Sequence, residues 1–262
     1  MKPIGKIELK HQPRSNSSLS HYGPASVEWH PDGSALVVSE KDNSVYVYDV
    51  RQLGSSLTVA NGGRGGVRQQ SSPLSIGKPI GTYRLHPHVL QETHFDISGN
   101  YMVAATKASN GMGTVRIWDA QAGSKNHTVL AGHTGSCFCL RFSPCGTRLA
   151  TGGADALVGL WDTSEMVCTH TIDRHTKFIR SLSFSHDSKL LASSSEEPFI
   201  DIADSDTGDK VGQIPARYGA DEIAWNPKCY ALAFASGEAP VGLRSSDRGT
   251  AHVTVVKLSV HA

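Results

Sequence analysis

"AGHTGSCFCLRFSPCGTRLATGGADALVGLWD", running from Ala131 to Asp162, decides the fold. It sets a histidine (His133), a hydroxyl (Thr151) and a carboxylate (Asp155) ahead of a tryptophan (Trp161). The first three are the residue types of a nucleophilic triad. Around them, however, short apolar runs alternate with turns rich in Pro, Gly, Asp and Ser, the signature of strands. The pattern also repeats. Aromatics that close an apolar strand recur at Trp29, Phe95, Phe142, Phe184 and Trp225, in "VEWHPDG", "THFDISG", "LRFSPCG", "LSFSHDS" and "IAWNPKC". The last three lie 42 and 41 residues apart. The 47 residues from Phe95 to Phe142 include the extra loop "KASNGMG", and the 66 from Trp29 to Phe95 include the long segment 51–78.

Each unit follows one plan. A first strand ends in a polar turn, and a second follows, such as "RLATGG" or "KLLASSS". A third closes on Asp, as in "VYVYD", "VRIWD", "LVGLWD" and "FIDIAD", and a weaker fourth leads onward, as in "NHTVLAGH". Four short strands per repeat of roughly 40–45 residues, opening near Gly-His and closing near Trp-Asp, make a propeller blade. The 27 residues between His133 and Trp161 are the spacing of a WD-repeat blade. The sequence therefore predicts an all-β WD-repeat β-propeller in a single domain spanning 1–262. Five blades are expected at 22–50, 80–119, 128–162, 172–204 and 214–258, with a flexible insertion at 51–78.

In such a blade the four residues form a buried hydrogen-bond relay. The Trp161 indole donates to Thr151, the hydroxyl bonds His133, and Asp155 orients the imidazole. The need is physical, since a buried polar group without a partner costs about 1–3 kcal/mol. The other repeats carry degraded copies. His175, Ser193 and Glu197 occupy the same offsets, with Ala203 in place of the tryptophan. Repeat two offers His86, Trp118 and Asp119, with Ala104 at the hydroxyl position; repeat one offers Asp42, Tyr48 and Asp49, with Val38 there. A structural device tolerates such decay, whereas a catalytic site would appear once. No catalytic residue is assigned on this reading, and the sequence holds neither a Gly-rich phosphate loop nor a nucleophile elbow.

Composition agrees. Hydrophobic residues make up 39% and charged residues 19%, as in a globular protein, and the net charge of +1 supplies no basic stripe for nucleic acid. No window approaches the ~20 apolar residues of a membrane span. The N-terminus lacks the apolar centre of a signal peptide, so an intracellular protein is expected. The five cysteines (Cys137, Cys139, Cys145, Cys168, Cys229) read as reduced, buried thiols. Cys137 and Cys139, two apart in a strand, are expected to share a face; with His133 they form the one weak zinc alternative, which lacks a second ligand pair. No metal or other cofactor is expected. "HPH" at 86–88 is read as structural, because His86 falls on the blade offset. Arg64 and Arg68 in "GGRGGVR" are candidates for an RNA or partner contact from a solvated loop, and residues 236–251 form a second insertion.

Two ring closures stay open: five blades, with "GKIELK" near the N-terminus pairing with the last, or a seven-bladed type lacking two N-terminal blades, which is favoured. Residues 127–235 resemble the THO complex subunit 3 family through "GADALVGLWDTSEMVC", "IRSLSFSHDSKLLASSSEEPFIDIADSDTGD" and "IPARYGADEIAWNPKCYALAFA". The blade ending in "FIDIAD" instead of Trp-Asp is idiosyncratic to that resemblance. It implies a non-enzymatic scaffold in the nucleus, within a transcription–export assembly coupling mRNA synthesis and processing to export. The implied partners are other protein subunits of a THO-like complex, with RNA contacted mainly indirectly and no small-molecule substrate. The rival reading is a WD-repeat adaptor of another complex, such as a ubiquitin-ligase substrate receptor.

Overall fold

The computed structural model describes residues 24–40, 44–50, 79–84, 89–107, 112–120, 127–236 and 252–258. Among these described residues, nineteen strands build five antiparallel sheets. The first holds β1 (Pro24–Trp29), β2 (Ala35–Glu40), β3 (Ser44–Asp49) and β4 (Gly81–Arg84). The second holds β5 (Val89–Phe95), β6 (Tyr101–Lys107), β7 (Gly113–Asp119) and β8 (His127–His133). The third holds β9 (Cys137–Phe142), β10 (Arg148–Gly153), β11 (Val158–Asp162) and β12 (Val167–Ile172). The fourth holds β13 (Ser181–Phe184), β14 (Leu190–Ser194), β15 (Phe199–Asp204) and β16 (Lys210–Pro215). The fifth has three described strands, β17 (Glu222–Trp225), β18 (Ala231–Ser236) and β19 (His252–Lys257).

Each sheet is an up-and-down meander, and its first strand touches the first strand of the next: β1 to β5, β5 to β9, β9 to β13 and β13 to β17. The sheets therefore radiate from a shared line of inner strands. Sheet and sequence repeat are out of phase by one strand. The expected second unit, 80–119, gives its opening strand β4 to the first sheet, and the expected third, 128–162, gives most of β8 to the second. Each fourth strand thus closes one blade while its chain direction carries it to the next, which ties consecutive blades covalently through their outer edge.

The core lies between the sheets. Val37, Val45 and Tyr83 of the first sheet meet Phe95, Met102 and Trp118 of the second. Val103, Val115 and Ile117 of the second meet Leu140, Leu149 and Trp161 of the third. Ala150, Leu160 and Ile172 of the third meet Leu182, Phe184 and Leu191 of the fourth, and Ile200, Ile202 and Ile214 of the fourth meet Trp225, Leu232 and Phe234 of the fifth. No sheet buries its apolar faces alone, so the blades stabilise one another in sequence. The turns between first and second strands interlock as well. A side chain at Gly146, whose φ is +76°, would strike Ile97 from the preceding sheet, and one at Gly99 (φ +73°) would strike His30.

Among the described residues, no comparable contact links β17 back to β1. The outward face of the fifth sheet is open, with Val253 74% exposed, whereas on that of the first Trp29 is 57% exposed but Leu36, Val38 and Tyr48 are buried. The five sheets form an arc that does not close on itself through these strands. The segment expected to pair with the last blade, the insertion at 51–78, and all but Ser236 of the one at 236–251 lie outside the described residues.

A polar belt crosses the inner strands. His94 Nδ1 lies 3.1 Å from Glu28 of β1, and its Nε2 3.3 Å from Glu92. Glu92 accepts from Arg141 of β9 at 2.6 Å and from the Leu140 amide at 2.9 Å. Arg141 reaches on to Glu222 of β17 at 3.6 Å, which in turn accepts from Ser181 of β13 at 3.0 Å. Burial alone would raise the Glu92 carboxyl, but the His94 hydrogen bond and the Arg141 charge outweigh it and hold the acid at about 2. With the folded value depressed, the stabilisation is present above the unfolded value of 4.5 and is lost as pH falls towards 2. Acidification from about pH 5 to about pH 3 should therefore lower the unfolding free energy, with Glu92 supplying on the order of 2 kcal/mol of the loss. Glu92→Gln should flatten that part of the slope in urea titrations; an unchanged acid slope would show that the belt adds no stability.

Candidate functional site

The four residues of the opening stretch meet on the face of the third sheet that packs against the second. Leu149 pairs with Trp161 and Thr151 with Gly159, so β10 and β11 bring hydroxyl and indole to one face. The indole Nε1–H donates to Thr151 Oγ1 at 2.9 Å, and the hydroxyl lies 2.8 Å from His133 Nε2. His133 Nδ1 lies 3.0 Å from Asp155 Oδ1. A carboxylate only accepts, so Nδ1 carries the proton; Nε2 then accepts from Thr151, whose oxygen accepts from the indole. Every donor points the same way, from tryptophan to aspartate. Burial alone would raise the Asp155 carboxyl, but His133 and the Thr134 and Leu157 amides outweigh it and hold the acid below its usual range.

This geometry does not make Thr151 a nucleophile. The hydroxyl is fully buried, His133 is nearly so, and the oxygen that would attack already accepts the indole N–H. What the relay does is mechanical. Thr134 N–H donates to Asp155 at 2.9 Å, which fixes the loop between β8 and β9 to the turn after β10.

Forty-two residues on, the fourth sheet repeats the arrangement with altered parts. His175 Nε2 lies 2.9 Å from Ser193 Oγ and Nδ1 lies 3.0 Å from Glu197. The Thr176 amide and hydroxyl donate to Glu197 at 3.1 and 2.8 Å. Burial alone would raise the Glu197 carboxyl; Thr176 and His175 outweigh it and lower it. Ser195 stands where the third sheet has Gly153 and adds a hydrogen bond to His175 Nδ1 at 3.1 Å. The ring of Phe199 stacks on His175, centroids 5.1 Å apart.

A second device in this sheet was missed by motif reasoning. Arg174 clamps Asp201 with two hydrogen bonds, Nε to Oδ1 at 2.9 Å and Nη2 to Oδ2 at 2.6 Å, and reaches the Gly208 carbonyl at 3.0 Å. Asp201 is fully buried. The two residues occupy the offsets of Gly132 and Gly159, and in the third sheet a Cβ at either glycine would strike the Trp161 ring, at 2.5 and 2.9 Å. The indole thus requires two glycines, and Ala203, which stands at its offset, leaves room that an ion pair fills. The signal lay in the sequence as three exchanges at one spacing: Gly132 to Arg174, Gly159 to Asp201, Trp161 to Ala203.

The remaining expected positions divide. Trp118 is buried in the core between the first two sheets beside Tyr83, and Tyr48 is buried with Leu36 and Val38 on the outward face of the first sheet. Across the strand pairs Trp118 faces Met102 and Tyr48 faces Leu36, while Ala104 and Val38, at the offset of Thr151, bring no hydroxyl. Asp119 and Asp49 end their third strands. His86, Asp42, Arg64 and Arg68 lie outside the described residues.

Two expectations about cysteine are corrected. Cys145, Cys168 and Cys229 are exposed, because they sit in turns and on an outer strand. Cys137 and Cys139 are buried but do not share a face: a register shift at this point of β9 sends Cys137 towards the second sheet and Cys139 towards the fourth. Burial pushes both thiols up, and among the described residues no group of three His, Cys, Asp or Glu could hold a metal ion. A cleft of 330 Å³ opens between the first two sheets, lined by His30, Asp32, Tyr83, Phe95 and Asn100; both His30 nitrogens are engaged, with Asp32 at 2.5 Å and the Gly99 carbonyl at 3.0 Å.

Meandering sheets that radiate from shared inner strands, stapled by one buried Trp–Thr–His–Asp relay and a His–Ser–Glu variant of it, define the class: the fold is that of a WD-repeat β-propeller. The family "WD domain, G-beta repeat" matches residues 15–49, 124–162 and 166–200. Within that class it resembles THO complex subunit 3 of Arabidopsis thaliana, at 30% identity over 213 residues, covering 81% of this chain and 58% of that protein. WD repeat-containing protein AAC3 of Dictyostelium discoideum is 28% identical over 213 residues, 80% of this chain and 38% of its own length. The chain therefore spans between about two fifths and three fifths of these relatives. Among solved structures, a chain in the crystal structure of the Mitotic Checkpoint Complex superposes with a TM-score of 0.69 at 20% identity, covering 92% of this chain and 63% of that one.

Thr151→Val should leave the indole N–H and the imidazole each short of a partner and lower the unfolding free energy by about 2–4 kcal/mol. Trp161→Ala should cost about 3–5 kcal/mol, because a buried ring is lost with its hydrogen bond. Chemical denaturation checks both, and a wild-type midpoint for Thr151→Val would sink the relay. In the fourth sheet, Arg174→Met should destabilise by about 3–5 kcal/mol by stranding Asp201, and adding Asp201→Ala should recover most of that. If the double variant is no more stable than the single, the pair does not substitute for the indole.

Proposed function

We propose that the chain is a non-enzymatic scaffold subunit of a nuclear THO-type assembly that couples transcription and mRNA processing to mRNA export. The observation that carries this is the 30% identity with THO complex subunit 3, sustained over 213 residues. The site geometry supports the scaffold half of the reading. The relay residues of acid–base type, His133, Asp155, His175 and Glu197, are consumed in holding loops against sheets. What such a device yields is a set of loops fixed in place, which suits docking of other protein subunits, with RNA reached mainly through them. The exposed Val253 and Val255 on the outward face of the fifth sheet fit the expectation that the five blades form part of a larger ring.

The reading is tested by affinity purification of the tagged protein from nuclear extract followed by mass spectrometry. Subunits of a THO assembly should co-purify stoichiometrically, and should be lost with Trp161→Ala at temperatures where that variant unfolds. Recovery of a cullin adaptor in their place would overturn the proposal in favour of a ubiquitin-ligase receptor.

A further inference from the structure

We propose that His94 is a proton-operated switch that decides whether Arg141 of β9 serves the imidazole or Glu222 of β17. The geometry behind it is a conflict at one ring nitrogen. His94 Nδ1 lies 3.1 Å from Glu28 Oε1, and a carboxylate only accepts, so Nδ1 carries a proton in either charge state. Nε2 is approached by two groups of opposite demand. Arg141 Nη1 brings a donor to it, while Glu92 Oε1, an acceptor, lies 3.3 Å away. A ring nitrogen with a lone pair takes the first, and one with a hydrogen takes the second. It cannot serve both.

Two states follow. With His94 neutral, Nε2 accepts from Arg141, and Glu92 is left to Arg141 and the Leu140 amide, at 2.6 and 2.9 Å. When Nε2 takes a proton from water, its new N–H donates to Glu92 and its charge repels the guanidinium. Arg141 has a second acid to turn to. Glu222 Oε1 stands 3.6 Å from Nη2, within ion-pair reach but too far for a hydrogen bond, and its side chain is 64% exposed, with room to swing. Closing that gap ties β9 to β17, while the imidazolium, now between two carboxylates, ties β5 to β1. Protonation therefore tightens the inner-strand belt at both ends.

The surrounding elements add no competing charge among the described residues. β1 contributes Glu28, β5 itself Glu92, and β9 Arg141. β6 sets Val103 opposite His94, with Lys107 at the other end of that pairing, and residues 35–39 of β2 carry no titratable group. The β9 thiols of Cys137 and Cys139 feel the Glu92 charge, but burial keeps both protonated. The His94 side chain is 16% exposed, deep enough for these charges to act strongly and still within reach of solvent protons. Burial disfavours the charged ring, but its hydrogen bonds to Glu28 and Glu92 outweigh burial and the Arg141 charge, and raise it above the usual 6.5. Because the folded value is the higher one, the added stability is complete below 6.5 and is lost as pH rises through the folded value.

The test is nuclear magnetic resonance of the full chain with nitrogen-15 in histidine and arginine, titrated from about pH 9 to about pH 5. His94 Nε2 should pass from the signal of a bare ring nitrogen to that of an N–H, at a midpoint above 6.5, while Nδ1 keeps its hydrogen throughout. The Arg141 guanidinium signals should shift with the same midpoint. Glu28→Gln should lower that midpoint by about one unit, roughly tenfold in proton affinity. Glu222→Gln, on an exposed side chain that touches Arg141 and not His94, should cut the Arg141 shift by about half or more. Amide exchange gives a second readout. Protection of β1, corrected for the intrinsic effect of pH, should be severalfold higher at about pH 6 than at about pH 9, and His94→Gln should remove the difference. A His94 locked in one charge state across the range, titration at Nδ1, an Arg141 silent while His94 titrates, or an Arg141 shift indifferent to Glu222→Gln would each overturn the switch.

Discussion

A propeller blade takes polar groups out of water when its neighbour packs on it, and everything else here depends on those groups finding partners. In the third sheet the solution is a single directed chain of hydrogen bonds. Trp161 donates to Thr151, Thr151 to His133, and His133 to Asp155, with each donor hydrogen used once and none to spare. Because the aspartate also receives the Thr134 amide, the chain ends in a loop, and the loop becomes as rigid as the sheet. Internal satisfaction and external presentation are thus one interaction.

The fourth sheet shows how much of that solution can change. Without an indole, Ala203 leaves space at the interface with the third sheet, and the Arg174–Asp201 pair occupies it. The imidazole keeps its hydroxyl and carboxylate partners, now Ser193 and Glu197, and the longer acid is accommodated with Ser195 in place of Gly153. The same need for satisfaction acts between blades. Glu92, Arg141 and Glu222 connect inner strands of the second, third and fifth sheets through side chains, while the apolar clusters do the same through packing. Cohesion runs along the arc from sheet to sheet, and its two end faces remain apolar.

Much of this was legible in the chain. Aromatics at recurrent spacing located the first strands, and the offsets of His133, Thr151, Asp155 and Trp161 named four residues that the structure brings together. The same offsets found His175, Ser193 and Glu197. The offsets also marked Trp118 and Tyr48 as members of partial sets, because Ala104 and Val38 stand where the hydroxyl would be. Periodicity failed for Cys137 and Cys139. Strict alternation put both thiols on one face, and a single register shift sent them to opposite ones. The Arg174–Asp201 pair was invisible to a motif search because it is defined by what it replaces.

By itself, then, the sequence determined strand identity, blade count among the recognisable repeats and the local polar sets, because these follow from periodicity within some forty residues. It could not place the fourth strand with the right blade, because that strand looks alike whether it ends one sheet or begins the next, and only hydrogen-bond pairing distinguishes the two. It could not show that Glu92, Arg141 and Glu222 meet across the inner strands. Those residues come from three sheets, and their proximity is set by how sheets pack, a long-range outcome that no local pattern encodes.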